Sequence, residues 1–149
     1  MPHAGLMNTQ DSFETEDGAL LRARLHIRGA RRRLRQGKIS AGIVTLYDAL
    51  LFALRWYLSS PERREKLSLG PKDALSDERQ VLALLQRSHV LPEEFDYHAF
   101  DALVEKASEQ EMPGYDYSEL LREFETLMNC LGVMPFNESD LPPEDTSTF

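Results

Sequence analysis

The chain has little of what reactive sites are usually built from. Its single cysteine, Cys130, excludes an internal disulfide framework and a zinc site made of several thiolates. Glycine-rich phosphate loops, HExxH, CxxC and GxSxG are all missing. No stretch alternates apolar and polar residues for long enough to predict a strand, and no segment repeats. The opening residues, MPHAGLMNTQDSFETED, have neither a basic region nor an apolar core, which argues against a secretory signal. Together with a lone thiol, which fits a reducing compartment, this makes the cytoplasm the expected location. There is also no long apolar run without charge. The most apolar one, residues 41–58, contains Asp48 and Arg55. Charge at mid-bilayer is costly, so this run predicts a buried helix and not a membrane span.

What the chain does have is charge, unevenly placed. Its 149 residues suit one domain, with a formal net charge of −8. Residues 22–38, RARLHIRGARRRLRQGK, carry eight of the seventeen basic residues and no acid. From residue 88 to the end there are fifteen acids against Lys106 and Arg122, a net of −13. Two halves of opposite sign in one small domain attract each other.

Helical periodicity dominates. Leu20, Ala23, Ile27, Ala30 and Leu34 repeat at 3,4,3,4 spacing, which predicts a first helix over about 17–36, closed by Gly37. Ser40 is a good N-cap for a second helix reaching about residue 59, before Pro61. Because this helix is apolar nearly all round, it should be the centre of a bundle, antiparallel to the first. A turn of helix near 61–67 and a break at Gly70-Pro71 follow. Third, fourth and fifth helices are predicted over about 77–88 (capped by Ser76), over about 96–109, and from a cap at Asp116 to about Leu131. The fold class is therefore all-α, a mostly antiparallel bundle of four to five helices. It occupies residues 17–132, between a flexible N-terminal tail (1–16) and an acidic flexible C-terminal tail (133–149).

Candidate chemistry is sparse. His89 and His98 flank Glu93, Glu94 and Asp96, but the spacing matches no metal motif, and a solvated loop explains the same residues. Cys130, near an apolar helix face, predicts a buried or half-buried thiol. No catalytic group, metal or cofactor is expected.

Two features remain. Arg24, Arg28, Arg31 and Arg35 fall within about 60° of one another on a helix, a stripe beside the apolar one. Guanidinium rows suit phosphates, which makes RNA one candidate ligand. Aromatics are missing from this helix, however, and the acidic second half offers internal partners. Pairing with the fourth and fifth helices, or with a second subunit, is the favoured expectation. In the second helix, Thr45, Asp48, Phe52 and Arg55 share one face. An aspartate in such an apolar helix is expensive unless paired. Residues equally far from the turn near Lys38 should lie opposite each other. Asp48 should therefore be buried and paired with Arg28 first, or with Arg31 or Arg24. The alternative is a small-ligand cleft around Asp48, Tyr47 and Arg55.

The stretch LRARLHIRGARRRLRQGKISAGIVTLYDALLFALRWYLSS, residues 21–60, resembles the first hairpin of HEPN-type helical domains. Those domains pair a polar first helix with a second carrying small residues and a tyrosine, here Ala41, Gly42, Tyr47, Ala49 and Ala53. The resemblance implies a helical bundle that dimerises, acting either as a ribonuclease or as a non-catalytic partner of a nucleotidyltransferase-like protein. Nuclease members share an Arg-x4-6-His motif. Here Arg87 precedes His89 too closely and His98 too distantly, which points to a non-nuclease member. The expected function is a non-catalytic binding or accessory protein, homodimeric. RNA binding or cleavage through the arginine stripe, and small-ligand binding at Asp48, stand as alternatives.

Overall fold

The structure is a computed structural model that describes residues 16–70 and 75–148. Among these residues it is all-α. The helices are α1 (Glu16–Arg35), α2 (Ile39–Leu58), α3 (Pro61–Glu65), α4 (Glu78–Arg87), α5 (Tyr97–Glu109) and α6 (Ser118–Leu131). Short 3-10 turns follow at Glu138–Asp140 and Thr146–Thr148. The N-terminal tail, apart from Glu16 at the start of α1, lies outside the described residues, as does Pro71.

α1 forms where the periodicity places it. Ala23, Ile27, Ala30 and Leu34 are all buried, and Leu20 packs against the core. Gly37 takes the left-handed conformation (φ 79°) that ends the helix at little steric cost. The chain is already helical at Ile39, so Ser40 lies inside the first turn of α2 and does not cap it, contrary to expectation. Its buried hydroxyl instead donates to the carbonyl of Gln110 at 2.6 Å, joining the start of α2 to the end of α5. Asp77, not Ser76, caps α4 by accepting from the Arg79 amide at 2.9 Å. Asp96 caps α5 through the Ala99 amide at 3.1 Å. Asp116, expected to cap α6, stands one residue before the cap position, which Tyr117 holds, and accepts from the Ser118 amide at 3.0 Å, while Glu119 pairs with Arg122 instead of closing a capping box.

α2 is the hub. Thirteen of its residues are buried, against α1 on one side and α5 and α6 on the others. It is long and apolar enough to cross a membrane, yet most of it lies inside this fold. Most of its apolar residues are covered within one chain, while Val44, Phe52 and Trp56 are only half-buried. At its C-terminus Arg63 donates to the carbonyls of Tyr57 (3.0 Å) and Trp56 (2.6 Å), the latter also accepting from the Ser59 amide and hydroxyl.

The close approach of α1 and α2 depends on Gly42. A Cβ there would sit 2.7 Å from both Cγ and Cδ2 of Leu34 and 3.3 Å from its backbone nitrogen. Leu34 is 2% exposed and cannot swing away. At Gly29 the nearest atom is the far end of Arg33, at 2.8 Å, which can move. Gly42→Ala should therefore destabilise the fold by about 1–3 kcal/mol through overpacking. Gly29→Ala should be neutral or stabilise by up to about 1 kcal/mol, the helix-propensity gain. Urea unfolding of the two variants measures the difference, and equal midpoints would show that α1 and α2 are not in close contact at Gly42.

Candidate functional site

The middle of the arginine stripe of α1, Arg28 and Arg31, meets the chain's own acids. α6 ends at Gly132 in a left-handed conformation (φ 89°), and the chain runs back along α1. Arg24 donates through Nε to the carbonyl of Val133 at 3.0 Å. Phe136 lies beneath two guanidinium groups, with Cζ of Arg24 at 5.4 Å and of Arg31 at 5.7 Å from its ring centre. Arg31 donates to Glu138 at 3.0 Å and to Glu125 of α6. Further along, the Glu144 carboxylate bridges two arginines, with Arg32 Nε at 2.7 Å and Arg28 Nε at 3.5 Å. Within the segment that composition marks as a loose acidic tail, Val133, Phe136, Glu138 and Glu144 are seated on α1 in the structure.

The expected pairing with the fifth helix is therefore present through Glu125, and the C-terminal segment supplies the rest. Arg28, the expected first partner of Asp48, faces Glu144, and Arg31 faces Glu125 and Glu138. Arg35 is exposed at the end of α1 and stands apart from this cluster. Arg32, which the stripe omits, is buried within it. Asp48 is half-buried. It shares with Thr45, Arg28, Arg32 and Arg33 an open depression of about 380 Å3, closed on one side by Pro143, Glu144 and Asp145.

Tyr47 and Asp48, expected in one cleft with Arg55, face different neighbours. Consecutive helical residues point about 100° apart, so Tyr47 turns away from Asp48 toward α4. Its hydroxyl donates to Glu78 at 3.2 Å. Arg55 stacks over Phe52 at 5.3 Å, where Arg22 (5.8 Å) and His26 (5.0 Å between ring centres) also pack. Burial and the nearby Glu78 charge raise the Tyr47 hydroxyl far above the ordinary tyrosine range. Burial, then Glu78 and Asp101, do the same for Tyr97 at the start of α5. Arg79 and Asp101, paired at 3.0 Å, join α4 to α5 beside them.

Cys130 is exposed, against the expectation of a buried thiol, because it sits on the outer side of α6. His89 and His98 are both exposed, and no three His, Cys, Asp or Glu groups converge on a metal position among the described residues. Comparison of the chain with family models, curated proteins and solved structures finds no match in any of the three.

Two outcomes follow from this geometry. Glu144→Ala leaves two guanidinium groups, Arg28 and Arg32, with side chains only 11% and 10% exposed and without that carboxylate. Loss of one member of a buried pair costs about 3–5 kcal/mol when burial is complete; with Glu144 itself 23% exposed, about 1–3 kcal/mol is expected. Asp140→Ala, at an exposed carboxylate, should leave the thermal midpoint nearly unchanged, and equal midpoints would show that Glu144 holds nothing. The second outcome is pH-dependent. Unfolded tyrosines release their protons near pH 10, whereas folded Tyr47 and Tyr97 keep theirs to higher pH. Above about pH 10 the folded state therefore binds more protons, and stability falls as pH rises. The urea midpoint should drop between about pH 9 and 11. It should drop less in a Tyr47→Phe/Tyr97→Phe variant, and identical drops would remove these hydroxyls as the cause.

Proposed function

We propose that the chain is a non-catalytic helical binding or accessory protein whose ligand is the surface of another protein. One observation carries this. On the densest basic surface among the described residues, that of α1, Arg28, Arg31 and Arg32 are already engaged by Glu125, Glu138 and Glu144. A phosphate backbone would have to displace these carboxylates before it could release counterions to gain affinity. The resemblance of residues 21–60 to the first hairpin of HEPN-type domains supports the same role. It also supplies two forms the partner takes, a second copy of the chain or a nucleotidyltransferase-like protein. The missing Arg-x4-6-His spacing supports the absence of ribonuclease chemistry, since no histidine is placed as its general acid or base.

Fluorescence anisotropy with a labelled single-stranded RNA tests the proposal. No saturable binding that falls with salt between about 50 and 200 mM is expected, and the RNA should remain intact. Steeply salt-dependent binding lost in Arg28→Gln/Arg31→Gln, or cleavage lost in His89→Ala or His98→Ala, would replace the proposal with a nucleic-acid function. Light scattering separates a homodimer from a monomer of 17.1 kDa.

A further inference from the structure

α5 and α6 both rest on α2 but leave a groove of about 360 Å3 between them. Its floor is Phe100 and Phe124, both buried. Its walls are Phe95, Leu103, Tyr115 and Leu120, half-buried side chains that continue the core to the surface. The apolar lining extends past Phe95 to Pro92 and Leu127. Around this opening stand Glu94, Asp96, Glu119 and Glu123, and the one basic residue bordering its extension is Arg122, engaged with Glu119. Asp96 is engaged as the cap of α5, and Glu119 with Arg122. No salt bridge among the described residues involves Glu94 or Glu123.

We propose that this groove docks a basic amphipathic helix of a partner protein. Its apolar face enters between α5 and α6, and its lysines or arginines meet Glu94 and Glu123. This rests on the protein-binding function proposed above and names the chemistry of the partner. A space flanked by two helices receives a third by the same packing that builds a bundle. A neutral or acidic partner would desolvate Glu94 and Glu123 without compensating them, whereas a cationic flank pairs with both. The acid excess of residues 88–149 extends the same preference beyond the rim, and it repels nucleic acid.

The probe is a labelled synthetic amphipathic helix of leucine and lysine, alongside the same peptide with glutamate in place of lysine. The leucine–lysine peptide should bind saturably and the leucine–glutamate peptide should not. Binding should weaken about tenfold or more in Glu94→Lys/Glu123→Lys, and also in Leu120→Ala. Glu62→Lys/Glu65→Lys on exposed α3 makes the same charge change away from the groove and should bind like the unaltered protein. Melting curves confirm that each variant is folded, and the surface glutamate pair keeps the test decisive if Leu120→Ala unfolds. Equal binding by the two charge-reversed proteins, or equal binding of the two peptides, would overturn the groove as a basic-helix site. So would a homodimer abolished by Glu94→Lys/Glu123→Lys, which would make the occupant a second copy. Salt-dependent RNA binding would sink the parent function as well, whereas charge-blind peptide binding with RNA still unbound would sink this inference alone.

Discussion

Burying the guanidinium groups of α1 is the constraint on which the rest of the arrangement turns. Ile27, Ala30 and Leu34 must pack on α2 to leave water, and Arg28 and Arg32 lie on the same helix among them. The packing therefore carries both arginines under the surface, to relative exposures of 9% and 8%. An unpaired charge at that depth is far more costly than an apolar contact is favourable. Glu144 bridges both, and Glu125 and Glu138 meet the neighbouring Arg31. The path of the chain after α6 is the consequence: from Val133 to Glu144 it follows the line of arginines, with Phe136 packed beneath two of them.

The hub role of α2 has a second consequence. α1 lies close against it because Gly42 presents no side chain to Leu34, and α5 and α6 take other faces. Those two helices are each anchored to α2 more than to one another, and the space between them stays open. The groove is thus a product of how the hub is shared. It needs no special residue, only two helices whose apolar stripes are wider than the contact each makes.

Internal neutralisation also sets the outward character of the protein. Seven of the seventeen basic residues lie on α1, where C-terminal acids meet Arg28, Arg31 and Arg32. The remaining carboxylates of α5 and α6 have few basic neighbours: Lys106 and Arg122 are the basic residues from position 88 onward. A chain that looks basic at one end and acidic at the other therefore shows a mainly acidic face around its apolar groove.

Periodicity by itself determined the helices and most of the core. Ala23, Ile27, Ala30, Leu34, Val81, Leu82, Leu84, Leu85, Phe124 and Leu131 are buried where the 3.6-residue pattern puts them, because each helix must hide one stripe from water whatever it packs against. The opposite charges of the two halves likewise signalled that the arginines would be met from within. Which carboxylate meets which arginine was decided only in three dimensions. Register from the turn at Lys38 pointed to Asp48 for Arg28, but the apolar contact of α1 with α2 is local, whereas Glu144 arrives from a segment over a hundred residues away with no periodicity to mark it. The same holds for Ser40, whose hydroxyl is taken up by the Gln110 carbonyl just past α5, and for Tyr47 and Asp48, adjacent in the chain and turned to different neighbours. Local patterns decide what must be buried. Only the packing of distant segments decides which polar groups share that burial, because a hydrogen bond or ion pair depends on distances of a few ångströms that no spacing along the chain contains.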